Sequence, residues 1–68
     1  MNQVDARGLS CPQPVLLTKN ALEADKVPLV VLVETVTSRE NVRRMAERSG
    51  YQVQVEAAGD EFKLMIEK

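Results

Sequence analysis

A chain of 68 residues has room for one domain, near the size at which a single apolar core only just offsets chain entropy. With 44% hydrophobic and 28% charged residues the composition is that of a globular protein, and no apolar run is long enough to span a bilayer. Nine Lys and Arg against ten Asp and Glu give a net charge of −1, without the basic excess that nucleic-acid binding requires.

With no His and a single Cys, the chain lacks a zinc set, a Cys-His dyad and a Ser-His-Asp triad, so no metal and no cofactor are expected. The first residues lack the basic and apolar regions of a signal peptide, and the lone cysteine suits a reducing compartment. The expected location is the cytoplasm, and the expected state is a monomer.

Residues 3–6 read as a short first strand, ended by Arg7-Gly8. Gly8 is expected to supply a positive φ, or a close approach, that brings the strand end round to a helix. Asp5 and Arg7 flank this turn. Arg7 could lower the pKa of a nearby thiol or contact an anionic partner, and Asp5 would raise that pKa if close. The alternative for both is a solvated charge or a local turn bond.

Next comes Cys11-Pro12-Gln13-Pro14, which holds the only cysteine and two of the three prolines. An apolar helical run begins at Val15, so a helix should start here. Ser10 as N-cap with Gln13 at N3 would make a capping box, while Cys11 as N-cap would put Pro12 at N1. Either reading puts the sulfur in the first turn, where unpartnered N–H groups and the helix dipole stabilise a thiolate. Pro12 and Pro14 have no N–H, which leaves Gln13 and Val15 as the donors nearest the sulfur.

Cys11 is therefore the candidate nucleophile, and Pro12, Gln13, Pro14 and Val15 form the helix start that supports its thiolate. The position of a resolving thiol three residues on is Pro14, and no other cysteine exists. A group loaded onto Cys11 thus has no internal thiol to discharge it, which suits a carrier. The alternative is a small buried apolar residue that opens a helix.

This first helix is expected over residues 12–25, with Pro14, Val15, Leu17, Thr18, Ala21 and Leu22 on the core face. Leu16 falls outside that arc and is either part of a docking surface or a scattered surface leucine. Thr18 is expected to pack and bond back to a carbonyl. Residues 29–34 are a near-continuous β-branched run and read as a central strand, paired in parallel with the first through a right-handed crossover.

Thr37 with Glu40, or Ser38 in its place, caps a second helix that Gly50 ends; its buried stripe is Val42, Met45, Ala46 and Ser49. Arg39, Arg43, Arg44 and Arg48 occupy the opposite face. Pairs of Glu40 with Arg44 and of Arg43 with Glu47 make a salt-bridged solvent face the better reading than a partner or RNA-guiding patch. Tyr51 to Ala57 and Phe62 to Ile66 alternate as two half-buried strands around a hairpin turn at residues 58–61. The order βαβαββ predicts an α+β two-layer sandwich, with two helices on one face of a mixed four-stranded sheet.

The run Asp5-Ala6-Arg7-Gly8-Leu9-Ser10-Cys11-Pro12-Gln13-Pro14-Val15 resembles the signature of the TusA-like small sulfur carriers, also called SirA-like or YedF-like. Length, element order and the Cys-Pro-x-Pro at the first helix agree, so the resemblance covers residues 1–68 as one carrier domain. The continuation Val15-Leu16-Leu17-Thr18-Lys19 with Ala21-Leu22 looks closest to the YedF-like branch.

The resemblance implies that Cys11 accepts a sulfane sulfur as a persulfide from a cysteine desulfurase or rhodanese-type protein and relays it to a DsrE-like acceptor. The routes served in the family are tRNA thiolation, sulfur oxidation or cofactor synthesis. The YedF-like branch implies selenium metabolism as an alternative cargo, and is often followed by a DsrE-like domain. Gln13 stands where many carriers have Glu, which implies a slightly more favoured thiolate and a different choice of partner. A regulatory module using Cys11 structurally or as a redox sensor is the third reading.

Overall fold

The computed structural model describes residues 2–10 and 12–68, and the element order is β1 (Asn2–Asp5), α1 (Gln13–Glu23), β2 (Leu29–Val33), α2 (Val36–Arg48), β3 (Gln52–Ala58) and β4 (Glu61–Glu67). Met1 and Cys11 lie outside the described residues, and with Cys11 goes the expectation that its sulfur sits in the first helical turn. The sheet order is β1-β2-β4-β3. β1 and β2 pair in parallel, and β4 runs antiparallel to both β2 and β3. The α+β sandwich read from the sequence is the fold observed.

The register explains which residues make the core. Val4, Val31, Leu64 and Val55 form one row across the sheet, and Leu29, Ile66 and Val53 form a row on the same face. Leu29, Val31, Val33, Leu64 and Ile66 join Leu22 of α1 and Val42 and Ala46 of α2 in one buried cluster. Both helices therefore cover that single face. β2 lies between β1 and β4, and even on the uncovered face its Val30 is only 6% exposed, between its register neighbours Gln3 and Met65. This is the partial shielding expected of a continuous apolar strand.

β3 is an edge strand, and the expectation that it is half-buried holds only at Val53 and the adjoining Tyr51; Val55 and Ala57 are exposed. The neighbouring β4 keeps Leu64 and Ile66 fully covered because it is flanked on both sides. The hairpin between them turns on Gly59 and Asp60, with Gly59 at φ +63°.

Each helix ends in the same hydrogen-bonded motif. In α1 the Asp25 N–H donates to the Leu22 carbonyl at 3.0 Å and Lys26 N–H to Ala21 at 3.1 Å; in α2 Gly50 donates to Glu47 and Tyr51 to Ala46, both at 3.0 Å. The residue that reverses the chain is left-handed in both, Gly50 at φ +94° and Asp25 at φ +58°. Asp25 thus lies beyond α1, which stops at Glu23, shorter than the sequence suggested.

The start of α2 also differs. Thr35, extended at φ −119°, is the N-cap and its side chain accepts from the Ser38 N–H at 3.0 Å, so the helix begins before the expected Thr37 or Ser38 cap. Ser38 joins Val42 and Ala46 on the buried stripe, Met45 is only half-buried, and Ser49, expected on that stripe, is the exposed C-cap. Among the described residues no helix is long and apolar enough to cross a membrane.

Candidate functional site

The segment that carries the cysteine leaves the sheet at the carboxyl end of β1. The Ala6 N–H still donates to the Leu32 carbonyl at 2.9 Å, extending the parallel ladder by one residue. Arg7 and Gly8 then turn the chain, with Gly8 at φ +80°, the positive φ expected there. A Cβ at Gly8 would lie 3.9 Å from a Glu34 carboxylate oxygen, so backbone conformation rather than space requires the glycine.

Arg7 is held at both ends of its guanidinium. Its Nε and Nη2 donate to the two Asp5 carboxylate oxygens at 2.9 and 2.8 Å, its backbone N–H donates to Asp5 Oδ1 at 3.1 Å, and Nη1 reaches Glu61 at 3.2 Å. The Arg7 hydrogen bonds hold the Asp5 carboxyl down at about 2, and the same contacts push the Arg7 pKa upward. Two carboxylates more than balance the one cation. The described residues show the local turn bond for Asp5 and Arg7.

The helix start also departs from expectation. Pro12 is the N-cap, at φ −97° and ψ 15°, without a side-chain cap bond, and Pro14 sits at N2. Pro12 takes the place that the sequence reading gave to a Ser10 cap, and the Cys11 alternative falls on a residue outside those described. The Gln13 N–H donates to the Ser10 carbonyl at 2.9 Å, so this donor is already engaged. A proline cap has no side-chain acceptor, and a tight backbone turn from Ser10 takes its place. Pro14 is buried, and the Thr18 hydroxyl donates to its carbonyl at 2.9 Å, as anticipated.

Three surface depressions surround this segment. One of about 420 Å³ lies between the β1–α1 and β2–α2 connections, lined by residues that include Gly8, Ser10, Glu34 and Thr37. A second of about 400 Å³ runs between the helices, lined by Pro12, Val15, Asn41, Arg44, Met45 and Arg48. A third of about 210 Å³ is lined by Leu9, Gln13, Leu16 and Leu17.

Leu16 is 52% exposed, as its position on the helix implied. Leu17 is 40% exposed, against expectation. The buried arc of α1 is Pro14, Thr18 and Leu22, and Leu17 lies about 100° round the helix from Thr18, on the flank away from α2. Val15 occupies the flank that faces α2.

The arginines of α2 divide as well. Arg39 and Arg43 pair with Glu40 at 3.2 and 2.7 Å, Arg43 reaches Glu47 at 2.9 Å, and Arg39 stacks 4.7 Å from the centre of the Phe62 ring. The expected Glu40–Arg44 pair is absent because Glu40 turns to the β4 flank. Arg44 and Arg48 fall on the other flank and line the inter-helix groove. The sequence reading merged these two pairs; measuring each arginine's angle from Val42, the centre of the buried stripe, would have separated them.

A short strand that turns through a left-handed glycine into a proline-bracketed helix start, on a two-layer βαβαββ sandwich, defines a small single-cysteine α+β domain. The family model for sulfurtransferase TusA matches residues 2–68. A protein of Methanocaldococcus jannaschii named as a candidate sulfur carrier is 38% identical over 71 positions, covering 100% of this chain and 95% of that protein. The crystal structure of a SirA-like protein from Desulfitobacterium hafniense superposes with a TM-score of 0.86 at 36% identity, covering 97% of this chain and 95% of that one. The chain belongs to the TusA family of sulfurtransferases.

Proposed function

We propose that this chain is a single-domain, cytoplasmic, monomeric sulfur carrier in which Cys11 is the sulfur-bearing residue. The observation that supports this most is the place of Cys11 in the chain. It stands in sequence between Ser10 and Pro12, in the Cys-Pro-x-Pro run of a chain matched almost end to end by the family. The sequence has no His and no second thiol, so no thiol within these 68 residues discharges a loaded sulfur.

The Cys11 thiolate attacks the outer sulfur of a donor persulfide. A new S–S bond forms on Cys11, the donor's S–S bond breaks, and its electron pair leaves as the donor thiolate. An acceptor thiolate then attacks the outer sulfur of Cys11–S–SH and releases the Cys11 thiolate. The exchange is redox-neutral overall, so no oxidant or cofactor is consumed. The donor is a cysteine desulfurase or rhodanese-type protein and the acceptor is DsrE-like. Asp5, Arg7 and Gly8 position the turn, Pro12 to Val15 set the helix start, and Leu16 belongs to the docking surface.

The experiment is a two-step transfer. The protein is loaded with radioactive sulfane sulfur, freed of donor, and mixed with a DsrE-like acceptor. Label that moves to the acceptor from wild type, with none carried by Cys11→Ser, is the expected result. Label that stays on the carrier, or that loads equally on Cys11→Ser, would overturn the reading. The YedF-like assignment predicts that a donor perselenide, formed when the desulfurase acts on selenocysteine, competes with the donor persulfide for Cys11, the outer selenium passing to Cys11 as the donor thiolate leaves.

A further inference from the structure

The four arginines of α2 differ in what surrounds them. Arg39 and Arg43 are neutralised on the β4 flank. The ion pairs among the described residues include neither Arg44 nor Arg48. Both are exposed, and the described residues that line their groove include no carboxylate. In a chain of net charge −1 this is a local positive strip, and the groove's other wall begins at Pro12, the residue after Cys11.

From this we infer that the α1–α2 groove seats an acidic segment of the protein that exchanges sulfur with Cys11, a proposal that rests on the relay above. Arg44 and Arg48 are one helical turn apart, so their Cβ atoms are about 6 Å apart. Carboxylates at alternate positions of an extended peptide are spaced about 6.5–7 Å, which matches. Guanidinium groups can grip each carboxylate through two parallel hydrogen bonds. Val15, Met45 and Pro12 supply apolar surface in the same groove for a neighbouring side chain.

RNA fits less well. The described residues lining the groove include no aromatic side chain on which a base could stack, and two cations on a net acidic protein are few for a phosphate backbone.

The test uses short peptides in which a cysteine is activated as a mixed disulfide with 2-thiopyridine. The Cys11 thiolate attacks the peptide sulfur, forms a peptide–Cys11 disulfide and expels 2-thiopyridone, which is read by absorbance. No persulfide is involved, so the outcome is separate from that of the relay. Three peptides carry two Glu, two Gln or two Lys at alternate positions beside the cysteine.

With wild type at low salt the Glu peptide reacts about tenfold faster than the Gln peptide, the Lys peptide is slowest, and about 0.5 M salt removes most of the difference. Arg44→Gln/Arg48→Gln abolishes the preference while leaving the rate with neutral dithiodipyridine unchanged, and Arg39→Gln/Arg43→Gln keeps it. Should the first pair of changes unfold the chain, the order of the three peptides on wild type decides. Equal rates for Glu and Gln peptides, or a preference that survives loss of Arg44 and Arg48, would overturn the proposal. So would a ten-nucleotide RNA that protects Cys11 at lower concentration than a cysteine-free Glu peptide does. Failed persulfide loading with the Glu preference intact would count against the relay alone.

Discussion

Arg7 and Glu61 are 54 positions apart in the chain, yet Nη1 of one lies 3.2 Å from a carboxylate oxygen of the other. Since the same guanidinium grips Asp5, the turn that leads to Cys11 is tied to the first residue of β4. Asp5 adds an acid-sensitive contact to the same guanidinium. Its folded pKa, about 2, is below its ordinary value of 3.8, so its contribution is complete above that value and is lost as pH falls from about 4 towards 2. Denaturant midpoints measured across that window should fall more steeply for wild type than for Asp5→Asn. Parallel curves would show that the Asp5–Arg7 pair adds nothing to stability.

Burial separates two leucines that look alike in sequence. Leu64 is fully buried in the central sheet, whereas Leu17 is 40% exposed. Leu64→Ala should cost about 2–5 kcal/mol, a large part of the roughly 3–10 kcal/mol available to a domain of this size. Leu17→Ala should cost less than about 1 kcal/mol. Urea unfolding of the two variants checks this, and comparable losses would mean that Leu17 belongs to the core after all.

The two helix ends offer a paired experiment. Gly50→Ala forces a Cβ into a backbone at φ +94° with open space around it, so strain alone should cost about 1 kcal/mol. Asp25→Gly relieves the same strain at φ +58° and should raise stability by up to about 1 kcal/mol. It also removes the 3.3 Å contact to Lys68, but that pair is widely exposed and contributes little. Thermal melting of the two variants should move in opposite directions.

The parts of this fold legible in the sequence are those where one local signal dominates. The apolar run of β2, the hairpin around Gly59 and the back-bonding of Thr18 each follow from a preference that packing does not reverse, although the strands reach Ala58 and Glu61 and leave a shorter turn than the 58–61 expected. Helix starts were less legible because several residues qualify. Thr35, Thr37 and Ser38 can all cap, and the extended chain leaving β2 selects the first. At α1 the eligible Ser10 was passed over for Pro12, since a backbone bond from Gln13 to the Ser10 carbonyl tightens the turn. Leu17 and the division of the arginines depend on which flank of a helix meets its neighbour. A helical wheel drawn alone does not hold that information.

The central claim is that Cys11 bears the sulfur, and the most direct measurement is intact-protein mass spectrometry after incubation with a cysteine desulfurase and cysteine. Wild type should gain the mass of one sulfur atom, reductant should remove it, and Cys11→Ser should gain nothing. A wild-type mass unchanged across several sulfur donors, or a gain that persists in Cys11→Ser, would contradict the assignment of Cys11 as the carrier residue.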